Sequence, residues 1–121
     1  MPALSLAEIL DRTDALLHTI VAKREESEAL RRMPTDLAAQ MADAGLFQLM
    51  LPKSVGGPEL SPLEAFEVVE RVSMADGSAG WCSMIPTGVS LIAAWLPPEV
   101  LRDMASNPAG LRGAGSLRPN G

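Results

Sequence analysis

The sequence predicts an all-α fold, a helical bundle of about five helices. Three observations carry this expectation. Apolar residues recur at three- and four-residue steps rather than in alternation, prolines and glycines cut the chain into helix-length segments, and no segment reads as a strand.

The first helix is expected over Ser5 to Glu28. Leu6, Ile9, Leu10, Leu16, Leu17, Ile20 and Val21 form its apolar stripe, with Thr13 at the edge, and Pro34 ends the segment. A short second helix follows, with Thr35 as N-cap, Asp36 in the electropositive first turn, and Leu37, Met41 and Ala44 inward. Gly45 is placed to close it. Leu46 to Leu51 is a brief apolar run ahead of Pro52 and reads as a buried extended connection; Ser54 to Pro58, with paired glycines, reads as a turn.

Ser61-Pro62-Leu63-Glu64 is a capping box with proline at the first helical position. The helix behind it is expected to turn Leu63, Phe66, Val69 and Val72 inward, and Asp76-Gly77-Ser78 to end it and cap the next. Gly77 to Pro98 holds no charged residue. That length could cross a bilayer. However, Pro86-Thr87-Gly88 interrupts it, serines dilute it, and no lysine or arginine cluster flanks it. It reads instead as a central helix surrounded by protein. Pro97 and Pro98 end it, and Glu99 to Ala105 forms one more short helix. From Asn107 glycine and proline dominate, and Pro119-Asn120-Gly121 is a turn signal.

Composition excludes several functions. The net charge is −5, so the chain lacks the phosphate-neutralising field of a nucleic-acid binder, and aromatics at 3%, with no tyrosine, leave no base-stacking platform. One cysteine and one histidine form neither an internal disulfide nor a structural zinc site. No basic stretch followed by an apolar one opens the chain, and the expected home is the reducing cytoplasm.

Single residues carry little chemistry. His18, near the first helix's stripe, reads as a partly buried structural histidine, and Cys82 as a small core residue without a nearby cation. Glu25 and Glu26 read as a solvated face, and Gly56-Gly57 fits neither a P-loop nor a dinucleotide fingerprint. No catalytic residue and no metal ligand is assigned.

The order of short motifs says more. Leu30-Arg31-Arg32-Met33-Pro34, Asp43-Ala44-Gly45-Leu46-Phe47, Leu51-Pro52-Lys53, Gly56-Gly57, Glu64, Val68-Val69-Glu70 and Ala75-Asp76-Gly77-Ser78-Ala79-Gly80-Trp81 together resemble the N-terminal domain of the acyl-CoA dehydrogenase superfamily. Within it, Asp76 to Trp81 and Ala114-Gly115-Ser116-Leu117-Arg118-Pro119-Asn120-Gly121 are more similar to the flavin-dependent, two-component monooxygenase branch. The Thr-Glu-Pro-type flavin loop of the dehydrogenases is missing.

The resemblance implies a three-part parent: a helical domain over residues 1–110, a middle β-barrel beginning at 111–121, and a C-terminal helical bundle. It implies a flavin, FAD or FMN, held mainly by the other parts and not tightly by this chain, with Trp81 as a cofactor-contacting position, a core tryptophan being the alternative, and Ser116 as a second position for contact with flavin or substrate. The implied activity is oxygenation of a small organic substrate with reduced flavin and O2. Acyl-CoA dehydrogenation and a non-catalytic helical scaffold are the alternatives. Implied partners are the remaining domains or a complementary subunit, a flavin reductase, and further copies in a homo-oligomer. Where several monooxygenase relatives place a histidine after the tryptophan, this chain has Val89 and Ser90.

Overall fold

A computed structural model describes residues 3–106, 111–115 and 118. Six α-helices and one 3-10 turn follow in order: α1 Leu6–Ala22, α2 Arg24–Leu30, α3 Thr35–Asp43, the turn Lys53–Val55, α4 Pro62–Ala75, α5 Gly77–Ala93 and α6 Pro98–Ala105. The described residues contain no strand.

The helix starts are written locally. Ser5 and Glu8 form a reciprocal cap on α1: the Glu8 amide donates to Ser5 Oγ at 3.3 Å and the Ser5 amide to Glu8 Oε2 at 2.8 Å. Ser61 and Glu64 repeat the arrangement on α4, with Pro62 leading. Asp76 ends α4 and caps α5, accepting from the Ala79 amide at 3.0 Å. Gly45 takes the left-handed conformation (φ 81°) past α3. Its amide bonds Ala42 O and the Leu46 amide bonds Met41 O, so two orphan carbonyls of the helix are satisfied.

Several expectations need correction. The first helix is two, broken at Lys23, whose Nζ pairs with Glu26 and Asp36, each at 2.7 Å. The polar α2 buries nothing and has no core contact to keep it collinear with α1. Thr13 lies at the centre of the α1 stripe, not its edge; it is fully buried and its hydroxyl donates to Ile9 O at 2.7 Å. Pro34, not Thr35, is the N-cap of α3, which has no side-chain cap bond. Leu46 to Leu51 is buried as expected but runs as turns rather than extended, because the Gly45 reversal folds it back on α3. On α4 the inward face is Ala65, Val68, Val72 and Ala75; Leu63 and Phe66 point out, at 84% and 73% exposure. Two apolar stripes compete on that helix, and the smaller residues win the core because they let α5 approach closely.

The same holds for α5. Its buried face is small and weakly polar: Ala79, Gly80, Ser83, Pro86, Thr87, Ser90 and Ala93. Trp81, Leu91 and Ile92 are exposed, so within the described residues this helix is covered on one face, not all round. Gly80 sits against Ser73 of α4, where an added Cβ would fall 2.9 Å from Ser73 Cα.

The main core joins α1, α3, α4 and the turn region through Ile9, Ile20, Leu37, Met41, Leu46, Leu49, Val68 and Val72. Each such side chain contributes about 1.5–3 kcal/mol by leaving water. A smaller cluster of Leu51, Ala93, Leu101 and Leu111 ties α6 and the segment after it to the end of α5.

Candidate functional site

Two grooves meet at Trp81, in the second turn of α5. The first is an apolar cleft of about 420 Å³, lined by Met33, Phe47, Trp81, Ile85, Pro86 and the backbone segment from Arg112 to Gly115. The second is a larger, more polar groove of about 730 Å³ between α2 and the start of α5. Met33, Trp81 and Cys82 border both.

Each wall has a local cause. The Asp76 cap sets the first turn of α5 and thus the direction of Trp81. Trp81 is 62% exposed, a large flat apolar surface at the mouth of the cleft rather than a core anchor. Phe47 is held in the buried turn after Gly45, and the Arg112 guanidinium lies over its ring, 5.9 Å from the centroid. Gly113 lets the following segment lie on α5: a Cβ there would come 2.4 Å from Val89 Cβ. Ser83 braces α5 against the turn region, its hydroxyl donating to Leu46 O at 2.5 Å.

The sequence-derived candidates fare differently. Trp81 stands at the junction of the grooves. Ser116 lies outside the described residues. His18 is exposed on α1, not partly buried, since the stripe turns past it; its ring is 3.5 Å from Thr19 Oγ1, and it borders a shallow surface groove with Arg71 and Met74. Cys82 is half-buried beside Trp81. Burial first, and the charge of Asp76 second, push its thiol pKa up, away from a reactive thiolate. Glu25 and Glu26 are exposed as expected, and Glu26 binds Lys23. Gly56 and Gly57 form a turn, where Gly57 packs on the Leu51 backbone. Among the described residues no three metal-binding side chains converge, and no helix is long and apolar enough to cross a membrane.

Met33, Phe47 and the backbone after Leu111 were not visible as site residues in the sequence. They arrive from three separate segments, and no periodicity links them. The one available signal was that Met33 and Phe47 fall inside short motifs of the family pattern.

The arrangement offers a flat aromatic wall, an apolar cleft for a planar ring and an adjoining polar groove. Among the described residues the one thiol on its wall, Cys82, is held away from the thiolate form by burial, and no acid–base pair lines the cleft. A sequence model of the acyl-CoA dehydrogenase N-terminal domain matches residues 6–105. Among curated proteins, the chain is 31% identical over 112 residues to a flavin-dependent monooxygenase, oxygenase subunit HsaA, of Rhodococcus jostii, covering 93% of this chain and 29% of that protein. It is 33% identical over 98 residues to an indole-3-acetate monooxygenase of Pseudomonas putida, covering 81% of the chain and 25% of the relative. A pigment production hydroxylase of Rhodococcus erythropolis shows 35% identity over 61% of the chain and 19% of its own length. The chain thus spans less than a third of each relative.

Proposed function

Since the chain belongs to the acyl-CoA dehydrogenase N-terminal domain family, near its monooxygenase branch, we propose that it is the helical domain of a flavin-dependent monooxygenase acting with O2 on a small aromatic substrate. The observation that carries this reading is Trp81, placed with most of its surface open at the mouth of an apolar cleft. The cleft and its indole wall fit one side of a flavin ring. When bound, the flavin supplies the redox chemistry that activates oxygen. This chain's part is physical: Trp81 and Phe47 exclude water from the ring, and the Arg112 to Gly115 backbone limits how far a substrate enters.

The wider reading follows the same line. Residues 1–110 form the helical domain and the segment from 111 leads into a barrel. Leu63, Phe66, Met74, Ile92 and Trp95, each exposed at 70% or more, suit cover by the remaining domains or by another copy of the subunit. A reductase delivers FMN or FAD in reduced form. Ser116 remains a second cofactor contact in this proposal.

The test is oxygenation by the full-length polypeptide. With a reductase, an aromatic acid and ¹⁸O2, one labelled oxygen atom should enter the product. Trp81→Ala should raise peroxide release per turnover at least threefold, because water reaches the ring. Label-free product sinks the proposal, as does tight coupling in the variant. Acyl-CoA dehydrogenation is the second reading, favoured by the family itself. Bleaching of bound flavin by an acyl-CoA would select it.

A further inference from the structure

We propose that the groove between α2 and the start of α5 binds the anionic group, phosphate or carboxylate, of a ligand whose planar part lies in the adjoining apolar cleft. The chain is acidic overall, yet Arg24, Arg31 and Arg32 all line this one groove. Elsewhere Lys23 is paired with Glu26 and Asp36, Arg71 with Asp14 and Glu67, and Arg12 donates to the Asp43 carbonyl. None of the three groove arginines has a carboxylate partner among the described residues; Arg24 donates to the Ala75 carbonyl, which fixes it at the α4–α5 corner.

Two acids, Glu28 and Asp76, also line the groove. Asp76 is engaged with the Ala79 amide of its own helix. Counting both, one positive charge remains in surplus. Arg31 further occupies a left-handed position (φ 53°) at the end of α2, where glycine costs least. The sequence thus keeps a guanidinium at a position that does not favour it. Guanidinium groups present several donors in a plane, matched to carboxylate and phosphate oxygens.

Continuity with the apolar cleft narrows the ligand class. Trp81 forms a wall of both spaces, so one molecule can lay a ring on the cleft side and reach the arginines with a charged tail. That tail is either a flavin's phosphate or the acid group of a substrate. Which ring occupies the cleft rests on the monooxygenase reading; the groove's preference for anions does not.

Titrations of the 121-residue chain, followed by the indole N–H resonance of Trp81, test this. FMN is compared with riboflavin, and indole-3-acetate with 3-methylindole, so that each pair differs in the anion. At least one pair should show threefold or tighter binding of the charged member, and the pair that does names the source. The preference should shrink between about 20 and about 200 mM salt as the charges are screened. It should vanish in the Arg31→Gln/Arg32→Gln double variant and survive Arg102→Gln on α6. Equal affinities within both pairs overturn the proposal, as does a preference that persists in the double variant or no binding up to about 10 mM. A full-length protein that is bleached by acyl-CoA but still prefers anions here would discard the monooxygenase reading and keep this one.

Discussion

Gly80→Ala tests the central packing claim, that α5 is held by small residues on α4. A Cβ at position 80 would meet Ser73 Oγ at 1.9 Å, Ser73 Cβ at 2.8 Å and Ser73 Cα at 2.9 Å. The hydroxyl can rotate away, giving up its 2.7 Å bond to Val69 O, but Cβ and Cα are part of the α4 scaffold. Carbon atoms rest at about 3.5–4.0 Å, so α5 must retreat by roughly 0.5–1 Å. Overpacking of this kind costs about 1–3 kcal/mol. Alanine's better helix propensity returns about 0.5–1 kcal/mol. The net expectation is a loss centred on about 1 kcal/mol and reaching about 2.5 kcal/mol, with roughly 4–8 °C in the thermal midpoint at the centre. Gly88 is the internal control: it lies in the same helix with nothing within 4 Å of its added Cβ, so Gly88→Ala should stabilise by about 0.5–1 kcal/mol. Thermal and urea unfolding of both variants by circular dichroism reads the signs. Shifts in the same direction would show that the α4–α5 contact is not as tight as described. Because residue 80 precedes Trp81, the Gly80 variant should also alter the Trp81 indole resonance, while the Gly88 variant should leave it in place.

Two further outcomes follow. Thr87 is 3% exposed, and its hydroxyl is a buried polar atom without a hydrogen-bond partner among the described residues. Thr87→Val removes that orphan at nearly constant volume and should stabilise by about 1 kcal/mol in urea unfolding, whereas a loss of stability would mean the hydroxyl is satisfied in solution. Acidification should act through the caps. The Ser5 and Ser61 amides hold the Glu8 and Glu64 carboxyls below the usual range, and the Lys23 ammonium does the same for Asp36. A depressed folded pKa contributes stability above the unfolded value and loses it as pH falls, so stability should hold near neutrality and decline below about pH 4.5. A Glu8→Gln/Glu64→Gln variant should show a shallower acid limb; an unchanged limb would assign the decline to other carboxylates.

The helical class, the starts of α4 and α5, the Gly45 reversal and family membership were all readable from the residues in order. They depend on interactions within three or four positions, or on motifs that keep their spacing along the chain. The inward faces were not. On α4 the larger Leu63 and Phe66 lost the core to Ala65 and Val68, and on α5 Trp81 and Ile92 lost it to Gly80 and Ser83. Helical periodicity marks where apolar stripes lie but not which stripe meets a neighbour, since close approach of two backbones favours the smaller side chains. The grooves around Trp81 needed the tertiary structure for the same reason. Met33, Phe47 and Arg112 are far apart in sequence and become neighbours only when the chain folds back on α5.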